Sequence, residues 1–164
     1  MKRRKLIGRI LLISCGALVG YSVYKLWDWN KEPDFRYLEK HKELITSLAE
    51  TITPSSENIR DEKGAGVADI IIGLLKKYKA RKSQNKFIDG LKELQRYCHS
   101  SFGKPFEACT PDQKHQTLTH FEERGKSYGG IMGKVEDKFF GKSFFYTLTN
   151  ITAAAYNMLQ GIGK

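Results

Sequence analysis

The sequence predicts an all-α protein, an irregular bundle of about five helices preceded by one N-terminal apolar helix. Three observations predict it. From Leu38 onward apolar residues recur at spacings of three, four and seven. No segment alternates apolar and polar residues with period two for long enough to make a strand. Ile10 to Tyr24 carries no charge and no polar stripe, unlike a helix lying on a soluble core. The 164 residues suit one domain plus a tail or anchor and exclude a multi-domain enzyme. A hydrophobic fraction of 40% with 12% aromatics is enough for a packed core. Residues 1–32 read as a signal or anchor segment and residues 33–164 as the helical domain.

The N-terminal segment comes first. Met1-Lys-Arg-Arg-Lys5 is a compact positive patch, followed by an apolar run broken once by Arg9. Extended from Leu6 to Trp27, that run makes a helix of about 33 Å, enough to span if Arg9 snorkels to the headgroups. Tyr21, Tyr24, Trp27 and Trp29 would form an aromatic collar at the far interface. Gly20-Tyr-Ser22 is the best cleavage site of a poor set, so an uncleaved anchor is favoured over a cleaved signal. Arg3-Arg4-Lys5-Leu6-Ile7 partly matches a twin-arginine export signal; the alternative is a plain positive-inside flank. Leu12-Ile13-Ser14-Cys15 has the shape of a lipobox, but too few apolar residues precede it, and Cys15 reads as a small residue inside the helix. Lys and Arg outnumber Asp and Glu by 28 to 18, yet half of the net +10 lies in residues 1–32, which weakens a nucleic-acid reading.

The domain's helices follow in order. Leu38, Leu44, Ile45, Leu48 and Ile52 give the first, stopped by Thr53-Pro54-Ser55-Ser56; a polar loop then runs to Gly64-Ala-Gly66. Val67, Ile70, Ile71, Leu74, Leu75 and Tyr78 give the second. Phe87, Leu91, Leu94, Tyr97 and Cys98 give the third, ending near Gly103-Lys-Pro105. Thr110-Pro-Asp-Gln113 starts the fourth: Thr as N-cap, Pro in the first turn, Gln at the capping-box position. Leu118 and Phe121 continue it. Arg124–Lys134, with Gly125, Gly129, Gly130 and Gly133, reads as a flexible loop. A last helix from about Glu136 buries Phe140, Phe144, Leu148, Ile151 and Ala155.

Little chemistry is visible, and no catalytic, cofactor-binding or metal-ligating set is expected. The chain has no dinucleotide fingerprint, no Walker loop and no Cys-x-x-Cys-His. His115 and His120 are five apart, off the i,i+4 spacing that puts two imidazoles on one face, and His41 and His99 are isolated in sequence. Cys98 and Cys109 bracket the third-to-fourth helix connection. Outside the cytoplasm they are a possible disulfide; the alternative is a pair of free, partly buried thiols. The run Lys76-Lys77-Tyr-Lys79-Ala-Arg81-Lys82, with Lys86 beyond, reads as cations at the negative end of the second helix, capping its free carbonyls.

The ordered segments Leu48-Ala-Glu-Thr-Ile-Thr-Pro54, Gly64-Ala-Gly-Val67-Ala-Asp-Ile70, Phe87-Ile-Asp-Gly-Leu91 and Gly103-Lys-Pro-Phe106, running into Thr110-Pro-Asp-Gln113, resemble the gluconate 2-dehydrogenase subunit 3 family. The Phe139-Phe140 to Leu148-Thr149 helix completes the pattern, which covers roughly residues 40–155. Thr152-Ala-Ala-Ala-Tyr156 departs from it, standing where the family commonly continues into a Gly-Tyr-Tyr-Thr-Ser-like stretch.

The resemblance implies a small bacterial helical protein that accompanies a flavoprotein dehydrogenase subunit of the glucose–methanol–choline oxidoreductase type. FAD sits in that partner, and haem c in a possible cytochrome c subunit. The implied role is non-catalytic: assembly, export or stabilisation of a periplasmic dehydrogenase at the inner membrane, with Arg3 and Arg4 as export signal. The partner contacts expected are Tyr128, Ile131 and Met132 of the glycine-rich loop; Phe106 is favoured as a core residue of the helix hairpin, with partner contact the alternative. The alternative function is a self-standing, membrane-anchored helical interaction protein with an unrelated partner; an enzyme with an unrecognised site is the third possibility.

Overall fold

The computed structural model describes residues 30–53, 64–125 and 143–161. Within them the chain forms six α-helices, one 3₁₀ turn and no strand: α1 (Phe35–Lys40), α2 (Lys42–Ile52), α3 (Gly64–Tyr78), α4 (Arg81–Phe102), the 3₁₀ turn Phe106–Ala108, α5 (Pro111–Gly125) and α6 (Phe144–Gly161). The N-terminal apolar segment with Arg3 and Arg4, and the expected helix start at Glu136, lie outside these residues. Among the described residues no helix is long and apolar enough to cross a membrane.

The helix expected around Leu38–Ile52 is two helices. His41 interrupts it with φ −114° and ψ 35°, its N–H shared between the carbonyls of Tyr37 and Leu38. No Pro or Gly stands there to announce the break. Its ring stacks on Tyr37 at 4.0 Å, which fixes the bend locally. The bend lets Leu38 of α1 and Leu44, Ile45 and Leu48 of α2 all reach the core, where each is fully buried. α3 begins at Gly64, three residues before Val67, so Gly64-Ala-Gly66 is its first turn.

The corner between α3 and α4 adds a side chain to the expected basic run. The carbonyls at the end of α3 have a partner that the basic run did not suggest. Gln84, itself buried, donates its amide to the α3 carbonyls of Leu75 (3.0 Å) and Lys76 (3.3 Å) and to that of Lys79 just beyond (2.9 Å). Lys76 turns away to Glu39 on α1 (3.1 Å) and over the Phe35 ring. Glu39 also meets Lys42 (3.0 Å), which reaches Asp69 of α3 (2.6 Å). These bonds hold the Glu39 carboxyl below its usual range, chiefly through Lys42, and the Lys42 ammonium above its own, chiefly through Asp69. The groups are solvated, so the network aligns α1, α2 and α3 and adds little stability.

The fourth helix starts as the sequence predicts. Thr110 N–H donates to Gln113 Oε1 (3.0 Å) and Gln113 N–H to Thr110 Oγ1 (3.3 Å), a reciprocal capping box. α4 ends at Gly103, whose φ of +69° suits a residue without Cβ. α6 is the hub, packed against α2, α3, α4 and α5. Its inner face buries Leu148, Ile151, Thr152, Ala155 and Tyr156. Gly90 of α4 lets the Phe144 ring lie against the backbone; a Cβ there would overlap the ring.

Candidate functional site

The reversal at Gly103 folds the 3₁₀ turn back along α4, and one residue holds it there. Gln95 Oε1 accepts from Phe106 N–H (3.0 Å), while its amide donates to both carboxylate oxygens of Glu107, each at 2.9 Å. Between this clamp and the α1–α2 bend lies a cleft of about 560 Å³, lined by Tyr37, His41, Glu43, Gln95, His99, Pro105, Glu107 and Ala108. His41 and His99, 58 positions apart, thus share one cleft. His41 Nδ1 lies 2.7 Å from the Tyr37 carbonyl, which only accepts, so Nδ1 is the donor and the ring orientation is fixed. Burial, and then the neighbouring Glu107 carboxylate, lift the Tyr37 hydroxyl above the ordinary tyrosine range.

The cleft's polar groups are largely spent on building it. Glu107 is held at both oxygens, and His41 Nδ1 is bound to backbone. Among the described residues no three His, Cys, Asp or Glu side chains come together as a metal site. His115 is exposed on α5 and His120 stacks on Tyr97 at 4.4 Å. The sequence carries no sign of the Gln95 clamp, because a glutamine eleven residues before its partner looks like any polar residue on a helix.

Phe106 is fully buried behind the clamp, in keeping with the favoured core reading and not with the alternative of a partner contact. Lys114 lies over its ring, 5.5 Å from the centroid. Tyr128, Ile131 and Met132 lie outside the described residues. The residues flanking that segment are close together: a Cβ on Gly125 would stand 2.9 Å from Ser143 Oγ. Arg124 and Gly125, expected in the loop, close α5 instead, where Arg124 pairs with Glu93 of α4 at 2.8 Å.

Cys98 and Cys109 are both buried thiols. The Cys98 Sγ lies 3.5 Å from Thr117 Oγ1 of α5, and Cys109 Sγ donates to the Pro105 carbonyl at 3.4 Å. Burial pushes the Cys98 thiol up to about 11, and the Cys109 thiol, within hydrogen-bonding reach, adds to the rise.

The outer stripe of α6 differs in chemistry from the charged outer positions of α5. α6 has eighteen residues and no formal charge, in a chain with 28% charged residues. Asn150, Ala153, Ala154, Asn157 and Met158, at i, i+3, i+4, i+7 and i+8, form one exposed stripe. Beside it a cleft of about 190 Å³ opens, lined by Leu74, Lys79, Asn150, Ile151 and Ala154.

The family model described as gluconate 2-dehydrogenase subunit 3 matches residues 39–160, a span that runs from the end of α1 to the last turn of α6. No curated protein and no solved structure matches the chain.

Proposed function

The chain belongs to the gluconate 2-dehydrogenase subunit 3 family, and from that premise we propose that it is a non-catalytic accessory subunit that assists assembly, export or stabilisation of a flavin-dependent sugar or alcohol dehydrogenase. The family match across the helical bundle is the observation that carries the reading. FAD belongs to the catalytic partner, of the glucose–methanol–choline oxidoreductase type, and haem c to a cytochrome subunit where one is present. The accessory chain acts on the folded partner. A protein that binds the native state and not the unfolded one stabilises it by mass action, by about 2.7 kcal/mol at a hundredfold excess over Kd.

The positive flank, the apolar run and the aromatic collar of residues 1–32 support an inner-membrane anchor with the bundle on the periplasmic side. Arg3 and Arg4 serve in this reading as the export signal. The contact surface in this reading comprises Tyr128, Ile131 and Met132 of the glycine-rich segment and, separately, the uncharged stripe of α6. Interface cores are depleted in charge, and the stripe carries none; Met158 is its one residue of a type enriched there. Covering it removes amides and methyls from water but no ion, so the desolvation cost is small.

The test is affinity capture of the tagged chain from detergent-solubilised membranes, followed by mass spectrometry. A flavoprotein dehydrogenase should co-purify. If none does, the subunit reading falls and the anchored interaction protein with an unrelated partner takes its place.

A further inference from the structure

The chain turns twice between α4 and α5, and both turns bring Cys109 back toward Cys98. Gly103 reverses the direction in the left-handed region, and the Gln95 clamp fixes Phe106 and Glu107 against α4. Cys98 stands one helical turn beyond Gln95 on the same α4 face, and Cys109 closes the 3₁₀ turn immediately after the clamped residues. The side chains differ in access: Cys98 is fully buried between α4 and Thr117 of α5, whereas Cys109 keeps 7% of its surface exposed. Sequence separation alone left the pairing open; the clamp holds the 3₁₀ turn against α4 one helical turn from Cys98, and the two thiols lie within reach of each other.

We propose that Cys98 and Cys109 are a dithiol that the fold holds ready to close into a disulfide on meeting an oxidant that carries a reactive disulfide, with Cys109 as the attacked and attacking sulfur and Cys98 as the resolving one. In the first step the Cys109 thiolate attacks one sulfur of the oxidant. A mixed disulfide forms, and the oxidant's other sulfur leaves as a thiolate. In the second step Cys98 loses its proton and attacks the Cys109 sulfur, and the oxidant's remaining sulfur leaves. The chain's two thiols are oxidised by two electrons; the oxidant's disulfide is reduced to two thiols, which take up the two protons. The new bond closes the ring of residues 98–109 and ties the 3₁₀ turn, with Phe106 in the core, to α4. It replaces the weak Cys98–Thr117 and Cys109–Pro105 contacts, so Thr117 keeps its bond to the Gln113 carbonyl at 2.8 Å. This chemistry belongs to the chain's own residues and stands whether or not the subunit reading holds.

The experiment uses the full chain in detergent with Cys15→Ser, so that the third cysteine takes no part, and oxidised glutathione as the probe. After acid quench, unfolding and alkylation, the folded protein should have lost both alkylatable thiols, carry no glutathione, and yield a peptide linking residues 98 and 109. With Cys98→Ser added, glutathione should remain attached at Cys109. With Cys109→Ser added instead, Cys98 should stay free. Two alkylatable thiols persisting in the folded protein would overturn the inference. So would a linkage that forms only after urea is added, because the fold would then not be what joins the pair. Equal glutathione capture by both single-cysteine chains would overturn the assigned order of attack.

Discussion

α5 and α6 pack against each other and bury similar inner faces, yet they turn opposite surfaces outward. The outer positions of α5 hold Asp112, His115, Gln116, Glu122, Glu123 and Arg124. Those of α6 hold Asn150, Ala153, Ala154, Asn157 and Met158. Both helices are amphipathic in the sense that matters for folding, since each presents apolar residues to one core. The difference lies in what covering the outer face would cost. Ions on α5 would have to lose hydration of several kcal/mol each, whereas the amides and methyls of α6 would lose little. One helix is finished by water; the other is suited to being finished by protein.

The largest effect expected from this contrast is on partner capture. Ala154→Glu places a carboxylate at the centre of the α6 stripe, where burial without a partner costs about 3–5 kcal/mol. Co-purification of the dehydrogenase should fall by roughly a hundredfold or more, while circular dichroism stays unchanged because the site is exposed. His115→Glu on α5 should leave capture as it was. Equal losses from both would end the distinction between the two faces.

A smaller effect concerns the α4–α5 seam. Because Cys98 has its pKa raised from 9.0 to about 11 in the folded state, the unfolded chain gives up this proton first as pH rises. Stability should be flat with respect to this group below pH 9 and fall between pH 9 and 11, by on the order of 2 kcal/mol. Urea midpoints measured on reduced protein across that range should show the decline. Cys98→Ala should lower stability at neutral pH by opening a cavity, yet flatten the alkaline slope. Tyr37, also raised, acts in the same direction above its ordinary value of 10.0.

The smallest effect sharpens the comparison within the core. Thr117 of α5 and Thr152 of α6 are both fully buried. The Thr117 hydroxyl donates to the Gln113 carbonyl at 2.8 Å, while Thr152 Oγ1 has no hydrogen-bond partner. The same isosteric change should therefore have opposite signs. Thr117→Val should destabilise by about 1 kcal/mol, and Thr152→Val should stabilise by up to about 1 kcal/mol. Thermal midpoints moving the same way in both variants would contradict the pairing.

Features legible in the sequence were those settled between close neighbours on the chain. The capping box needs only Thr110 and Gln113, and the end of α4 needs only Gly103. The periodic apolar faces named Leu44, Leu48, Ile71, Leu91 and Leu148 as core, and each is fully buried. The site was far less legible. Gln84 and Gln95 are ordinary polar letters in helical segments, and their roles depend on carbonyls and a carboxylate that only the folded chain brings near. His41 breaks a helix that its neighbours favour, since the bend lets Leu38 and Leu44 reach one core.

By itself, then, the sequence determined the helical class, the inward faces and the family, because helix periodicity and caps are encoded within a few residues of where they act. Tertiary structure decided which polar side chains became structural. It buried Gln84, made Gln95 a clamp on the 3₁₀ turn, and brought His41 together with His99 and Cys98 together with Cys109. The physical reason is that a polar group's role is set by whatever partner replaces its water. For these residues that partner lies in another turn or on another helix.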